Sequence, residues 1–340
     1  MSLIQRIDAH PLGPVTWVYD AMPSNLAAEG IQPGDTIITN ANGVSFSVDA
    51  NHNLVAVGSI GGQIRGQSFY VDTVNGSDSN TGLSWDKAFI TVNKALTSII
   101  ADYASVYVVG DVREQVTVPA FNYCRLIGMS GSPRGARWRA PASPAATTPL
   151  LRLQKIGWIV SGFLFSAPTD AAAIMVERTA SLNAQDSVIR GNEFNTGAIA
   201  IESNGGAPNV IVQGNRIHDM TSGSVATSGG IISTSTAQAL PQRWIIADNH
   251  LINNKNHVVM PLKIGQLKAN ILTDIGDSIT SDVVIDLTSG DHNFVNGNYL
   301  GGAYTTVLYK PGATDNWIGN YAPVTATTAP YGLTVAVPTA

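Results

Sequence analysis

The sequence predicts an all-β protein, namely a right-handed, single-stranded parallel β-helix with a small N-terminal β-domain and one capping helix. Three observations predict this fold. An apolar and polar pattern around an asparagine recurs six times in the second half of the chain. Of the 340 residues, 33 are Gly and 17 are Pro, which indicates many tight turns. Charged residues make up 13% of the chain, about half the usual share of ~25%, which argues against a helical bundle.

The recurring unit is an asparagine corner flanked by core-forming residues. Apolar residues stand three before and two after each asparagine (Ala322 is the smallest), and the residue two before it is mostly polar. Spacings of 23, 34, 21, 28 and 22 residues are typical of stacked coils. The Gly-Asn pair predicts a bend in each strand, and stacked asparagine side chains are expected to hydrogen-bond from coil to coil. The corner asparagines are Asn192, Asn215, Asn249, Asn270, Asn298 and Asn320.

Two parts of the chain are predicted to fold separately. Residues 1–66 predict a small β-domain, because Asn42-Gly43 lies between two β-rich runs and is typical of a hairpin turn. Residues 67–321 predict the β-helix, with one short parallel strand in each coil. A β-sandwich with accidental periodicity is the alternative.

The open ends of a β-helix expose unpaired strand edges and therefore need caps. Thr91 is a candidate N-cap for a helix over 91–102, whose apolar side carries Ile99 and Ile100. We expect this helix to cap the N-terminal end. The tail 322–340 carries no charge and is rich in Thr, Ala and Pro. It is expected to cap the other end or to pack against other copies.

Composition excludes several functional classes. The net charge of −5 does not suggest a nucleic-acid-binding surface. Cys124 is the single cysteine, so no intrachain disulfide forms. No apolar run is long enough to predict membrane insertion, and the first residues lack the apolar core of a signal peptide. The histidines have no zinc-binding spacing, and neither Gly-x-Ser-x-Gly nor a P-loop is present, so we predict no metal and no cofactor.

Three segments carry a resemblance to a known family. Tyr70-Val71-Asp72, the loop 75–84 and the segment 88–96 resemble the opening of pectate-lyase-like right-handed parallel β-helix proteins. With the Gly-Asn repeats, the resemblance covers about 69–321. A leading β-domain without a signal peptide, joined to such a β-helix, is similar to bacteriophage tailspikes and tail fibres. The family's catalytic motifs do not match cleanly, so no catalytic residue follows from the resemblance.

The resemblance implies a virion protein, made in the host cytoplasm, that works as a homotrimer. Residues 1–66 would dock onto other virion proteins, and the β-helix would recognise a bacterial surface polysaccharide. Two alternatives stay open. One is a polysaccharide depolymerase, a glycoside hydrolase or lyase, on the same β-helix. The other is a capsid or tail decoration protein without enzymatic activity.

The position after each corner asparagine is expected to face outward, so that parallel stacking places these residues in one column about 5 Å apart. A carboxylate, hydrogen-bond donors and aromatic rings in one column are typical of a saccharide groove. Glu193 and Asp219, on adjacent coils, are the candidate catalytic carboxylates for glycoside hydrolysis. The alternative is a mixed surface with a weak Glu–Arg pair. The glycan-binding candidates are Arg216, His250, Tyr299 and Tyr321.

Other polar groups have simpler interpretations. Asp248 occupies a corner position and is predicted to be structural. The loop containing Asp72 and Asp78 has oxygen ligands, but it is expected to be a hydrogen-bonded turn rather than a Ca²⁺ site. A basic and aromatic cluster is predicted either to hold an acidic sugar or to stack arginine on tryptophan in an ordinary loop. Its members are Arg134, Arg137, Trp138 and Arg139.

Overall fold

The chain divides into two compact units, Met1–Arg65 and Gly66–Ala340. The structure, a computed structural model, describes residues 66–129, 135–222, 227–234, 240–274, 281–301 and 304–321. Within the first 65 residues it describes the strands alone. The predicted cap formed by the tail 322–340 lies outside the described residues.

The first unit contains one five-stranded sheet. Strands β3 and β4 pair antiparallel, as the turn at Asn42-Gly43 predicts. β2 and β3 pair in parallel, which the sequence did not indicate. The strands, in sheet order, are β1 (Leu3–Asp8), β2 (Val15–Tyr19), β3 (Thr36–Thr39), β4 (Val44–Val48) and β5 (Leu54–Ala56).

The second unit is a right-handed parallel β-helix with three faces. Face 1 contains β6 (Ser68–Asp72), β7 (Ser105–Val112), β9 (Arg125–Gly128), β12 (Ile159–Ser161), β15 (Val188–Arg190), β18 (Ile211–Gln213), β21 (Ile245–Ala247), β24 (Gln266–Lys268), β27 (Phe294–Asn296) and β30 (Asn316–Ile318). Face 2 contains β10 (Ala136–Arg139), β13 (Leu164–Ser166), β16 (Glu193–Asn195), β19 (Arg216–His218), β22 (His250–Ile252), β25 (Ile271–Thr273) and β28 (Tyr299–Leu300). Face 3 contains β8 (Val116–Thr117), β11 (Leu151–Leu153), β14 (Ala172–Glu177), β17 (Ile199–Asn204), β20 (Gly229–Ser233), β23 (Asn256–Val259), β26 (Ser281–Asp286) and β29 (Tyr304–Lys310).

Each coil visits faces 1, 2 and 3 in turn, and each strand pairs in parallel with its equivalent in the next coil. The parallel crossovers follow the right-handed rule. The last half of β7 bends onto face 2, where it pairs with β10, and Gly110 supplies the left-handed φ of +94° at the bend. The fold class predicted from the repeats is confirmed. The prediction of one strand per coil is wrong, because successive coils add strands to three faces.

One core runs along the inside of the coils. The apolar residues on both sides of the corner asparagines point inward, such as Ile189 and Phe194, which have no exposed surface. Side chains alternate between the two faces of a short strand, so every second side chain points into the core. Aromatic rings fill part of this core, with Trp138 packed against Phe163 and Phe165.

The corner asparagines form the predicted ladder between faces 1 and 2. In each step the Nδ2 of one asparagine donates to the Oδ1 of the next, as in Asn215 to Asn249 at 3.0 Å and Asn249 to Asn270 at 3.0 Å. Each Nδ2 also donates to a backbone carbonyl of the preceding coil. These asparagines are at most 2% exposed. The ladder therefore satisfies buried polar groups that would otherwise be costly.

The left-handed residue at this corner is the one before each asparagine. Gly191 and Gly214 have φ of +60° and +63°, and Asp248 and Ala269 have +56° and +53°. A Cβ placed on Gly191 or Gly214 would meet nothing within 4 Å. The glycine preference at these two positions therefore reflects the backbone dihedral and not crowding. Asp248 belongs to the corner, as the sequence predicts.

The capping helix is shorter than the sequence predicts. Helix α1 spans Val92–Thr97, and the predicted extension to residue 102 is wrong. The hydroxyls of Thr97 and Ser98 bond to carbonyls of the preceding turn, and Ser98 ends the helix. Ile100, predicted on the apolar side, is 76% exposed.

The N-terminus of α1 is held by carboxylates from two other segments. Glu114 accepts the backbone N–H groups of Val92 and Asn93, both at 2.8 Å, and Asp78 accepts the hydroxyl of Thr91 at 2.8 Å. Burial raises the pKa of Glu114 although these hydrogen bonds oppose the shift. The helix is thus fastened to the first coil by groups that satisfy its free N–H donors.

Candidate functional site

The predicted column exists on the outer side of face 2. Strand pairing places Glu193 beside Arg216, Arg216 beside His250, and His250 beside Ile271. The column continues through Tyr299 to Tyr321. The structure therefore brings together the five residues that the sequence placed in this column as site candidates, together with Ile271.

The carboxylate of Glu193 is buried although it lies on the outer side of the sheet. Its side chain is 8% exposed, and its Oε1 lies 3.1 Å from Nε2 of His218 and 3.8 Å from Nη1 of Arg216. Among the described residues, its Oε2 has no hydrogen-bond partner in the structure. One oxygen of Glu193 is thus anchored, and the other is free to meet a ligand.

His218 connects the two candidate catalytic carboxylates. Its Nδ1 lies 2.7 Å from Oδ2 of Asp219, and its Nε2 contacts Glu193 of the preceding coil. The two carboxylates are therefore held on opposite sides of one imidazole. Each nitrogen of the His218 ring therefore has one carboxylate as its partner.

The sequence interpretation gave His218 no role, although a signal for one was present. It stands three residues after Asn215, so it has the same outward direction as the residue one after that asparagine. Asp219 lies just past the end of β19, at the corner leading from face 2 to face 3, with a φ of +59°. Glu193 lies at the opposite end of its strand. Because these strands are only three residues long, the two carboxylates nevertheless reach the same ring.

A cleft of about 360 Å³ opens at this point of face 2. Its walls are Arg137, Leu164, Glu193, Asn195 and His218. Leu164 is the one apolar residue in this lining, so the cleft is more polar than a typical small-molecule pocket.

A second cleft, of about 470 Å³, lies beside it along the asparagine corner. Its floor contains the corner glycines, where the backbone is open to a ligand, and Gln213 bonds to Asp248 at its edge, 2.9 Å apart. It is lined by Ser161, Gly162, Arg190, Gly191, Gln213, Gly214 and Asp248. In the chain, the two clefts are lined by residues on either side of Asn192, Gly191 in the second cleft and Glu193 in the first.

The other column members supply different contacts. Burial, with the nearby charges of Arg216 and His218, lowers the pKa of His250, which favours its neutral form at pH 7. Tyr299 and Tyr321 stack with ring centroids 4.9 Å apart and an interplanar angle of 10°. Tyr299 is 43% exposed, so an apolar ring face is available to a ligand. A sugar ring can pack on such a face.

The basic and aromatic cluster is not an Arg–Trp stack. Trp138 points inward on β10, with no exposed surface, and donates to the carbonyl of Glu114. Arg137 and Arg139 point outward on the same strand, because they occupy the alternate positions. Arg139 is paired with Asp111 at 2.5 Å. Arg134 lies outside the described residues.

A pair of carboxylates on face 3 was missed by the sequence interpretation. Glu177 accepts from Arg152 at 3.0 Å and from Gln154, and Glu202 on the next coil accepts from the hydroxyl of Thr234. Burial raises the pKa of Glu202; the charge of Glu177 adds to this shift, while Thr234 and Arg152 oppose it. The varying repeat lengths before face 3 conceal this alignment in the sequence.

The loop proposed as a turn bonds to itself and to its neighbours. Asp72 accepts the N–H groups of Val74 and Asn75, and Asp78 caps the α1 region. Among the described residues, no three His, Cys, Asp or Glu side chains are arranged to hold a metal ion. In the same part of the chain, no helix is long and apolar enough to cross a membrane.

No family model matches the chain, and neither does any curated protein sequence. Among solved structures, it is similar to a GH136 lacto-N-biosidase from Eubacterium ramulus, with a TM-score of 0.42 and 10% identity over 75% of this chain and 60% of that one. It is similar to ORF18 of Geobacillus virus E2, with a TM-score of 0.41 and 12% identity over 89% and 73%. A rhamnogalacturonan lyase gives a TM-score of 0.35 and 13% identity over 75% and 66%. The chain thus spans less than two thirds of the lacto-N-biosidase. At these values the likenesses carry no argument about activity.

Proposed function

We propose that the protein is a bacteriophage surface protein, a tailspike or tail fibre, that binds a bacterial surface polysaccharide on face 2. The observation that carries this proposal is the cleft at Glu193 and His218, continued by Arg216, His250 and the tyrosine pair. Charged, neutral polar and flat apolar groups in one straight column suit a chain of sugar units. The assignment to a phage particle rests on the sequence resemblance.

Binding is tested on an array of purified capsular and lipopolysaccharide glycans. We expect Glu193→Ala and Tyr299→Ala each to weaken retention of the bound glycan. Tyr103→Ala is the matched control, because Tyr103 is also exposed and stacks with Tyr123 at 5.2 Å, outside face 2. An equal loss of glycan retention in all three variants, or no loss in the first two, would show that the proposed site is wrong.

The homotrimer and the docking of residues 1–66 belong to the same proposal. Light scattering on a sizing column is expected to give a mass near three times 35.7 kDa. A monomer would count against a virion projection. A chain starting at residue 67 is expected to keep glycan binding and to lose attachment to phage particles.

Glycoside hydrolysis is the second candidate function, and the contacts of His218 favour it. One carboxyl group must protonate the leaving oxygen while the other activates water or attacks the sugar. Glu193, with its free Oε2 and its buried position, is the candidate acid. His218 would hold Oε1 of Glu193 through Nε2 and contact Asp219 through Nδ1, so that it links the two carboxylates.

The two candidates are separated by measuring reducing sugar ends released from the bound glycan. Hydrolysis predicts release by the wild-type protein and a loss of at least about 100-fold in Glu193→Gln, since acid–base groups contribute factors of this size. A lyase would instead produce an unsaturated sugar, visible by its ultraviolet absorbance. Binding without any release leaves recognition as the function.

A further inference from the structure

The cleft on face 2 contains an exposed arginine without a carboxylate partner. Arg137 lies in the same column as Glu193, since strand pairing sets Arg137 beside Leu164 and Leu164 beside Glu193. Its side chain is exposed, and among the described residues no hydrogen bond or ion pair is made by its guanidinium group. Arg137 and His218 both line this cleft.

The other arginines on the described part of face 2 are paired. Arg139, two positions along the same strand, is held by both oxygens of Asp111. Arg216 lies near Glu193, at 3.8 Å. Leu164, which is 5% exposed, separates Arg137 from that carboxylate in the column. The cleft therefore has a free cation at one end and an acid with its imidazole partner at the other.

We propose that Arg137 binds an anionic group of the saccharide, a carboxylate or a phosphate, so that the ligand is an acidic polysaccharide. This inference rests on the proposed function. The planar guanidinium group can donate two parallel hydrogen bonds to such a group, which gives orientation as well as affinity. Its backbone position is two coil spacings from Glu193, about 10 Å. The anionic group would therefore fix which glycosidic bond lies beside Glu193.

The test compares an array-selected glycan with its carboxyl-reduced form and with its dephosphorylated form. Affinity is measured at one fixed salt concentration for the wild-type protein, Arg137→Gln and Arg137→Lys. Arg125→Gln is the matched control, because Arg125 is an exposed arginine on β9 of face 1. Circular dichroism checks that every variant is folded.

We expect Arg137→Gln to weaken binding of the native glycan about 10-fold or more, the size of a charge-assisted hydrogen bond. Arg137→Lys should restore part of this loss, and Arg125→Gln should change nothing. Whichever treatment removes the anionic group should lower wild-type affinity to the level of Arg137→Gln, and the variant should lose nothing further.

Two results would overturn the inference. One is unchanged binding by Arg137→Gln, and the other is unchanged wild-type binding after both treatments of the glycan. If Glu193→Ala still abolishes binding in either case, the proposed function stands and the anionic subsite is wrong. If the wild-type protein retains no surface polysaccharide at all, both proposals fall.

Discussion

Removal of one rung of the asparagine ladder tests how the coils are held together. Asn249 is 1% exposed, and its side chain makes four hydrogen bonds. Its Oδ1 accepts both N–H groups offered by Asn215, each at 3.0 Å. Its Nδ2 donates to the carbonyl of Val212 at 2.9 Å and to Asn270 at 3.0 Å. Asn249→Ala removes all four bonds and leaves two donors of Asn215 buried without an acceptor.

The expected loss follows from the groups left unsatisfied. Each buried donor or acceptor without a partner costs about 1–3 kcal/mol, and some of the loss is recovered by relaxation and water, so we expect a total of about 3–5 kcal/mol. The assay is urea unfolding followed by circular dichroism. Asn316→Ala is the matched control, because Asn316 is exposed on β30, and it should stay within about 0.5 kcal/mol of the wild type.

Asn249→Asp separates the hydrogen bonds from simple packing. The carboxylate keeps the oxygen that Asn215 needs, but it cannot donate to Val212, and it places a buried charge at the corner. We therefore expect this variant to be unstable at pH 7 and partly rescued near pH 4, where the carboxyl group is protonated. A loss below 1 kcal/mol in Asn249→Ala, or equal losses in the alanine variant and its control, would refute the ladder as a source of stability.

The remaining predictions concern the corner backbone, the carboxylates of face 3 and the helix cap. Gly214→Ala should lower the free energy of unfolding by about 1 kcal/mol through its positive φ alone, and Ala269→Gly should raise it slightly by relieving the same strain. Urea unfolding that shows a stabilised Gly214→Ala or a destabilised Ala269→Gly would contradict this. Because the pKa of Glu202 is raised in the folded state, its contribution to stability is fully present below its unfolded pKa and is lost as pH rises through its folded pKa. Glu202→Gln should therefore raise Tm at pH 7.5 and leave it nearly unchanged at pH 4; a lower Tm at pH 7.5 would exclude this account. Glu114→Ala should make the amide protons of Val92 and Asn93 exchange rapidly with solvent, because Glu114 accepts both N–H groups. The amide protons of the later coils should stay protected.

The repeat could be predicted because it leaves a local signature. The asparagine, the left-handed residue before it and the apolar residues around it recur in the coils from Asn192 to Asn320, whatever the loop lengths between them. The same asparagine repeat correctly predicted which residues lie in the column from Glu193 to Tyr321. It was also sufficient to place His218, whose position relative to Asn215 fixes its direction.

Other features depend on contacts that no local pattern reveals. The end of α1 depends on hydroxyl bonds made by Thr97 and Ser98, which override the apolar periodicity through Ile100. The pairing of Glu177 with Arg152 depends on the register of face 3, which follows loops of unequal length. Trp138 was misplaced although the alternation along β10 was visible, because its arginine neighbours suggested a surface patch.

The central claim is that the saccharide lies in the cleft of face 2. It is tested most directly by a crystal structure of the protein with a fragment of the polysaccharide that it retains. The account predicts sugar density between Leu164 and His250, with a hydroxyl or a glycosidic oxygen within hydrogen-bond distance of Oε2 of Glu193. Sugar density confined to face 1 or face 3, with the Glu193 cleft empty, would contradict it.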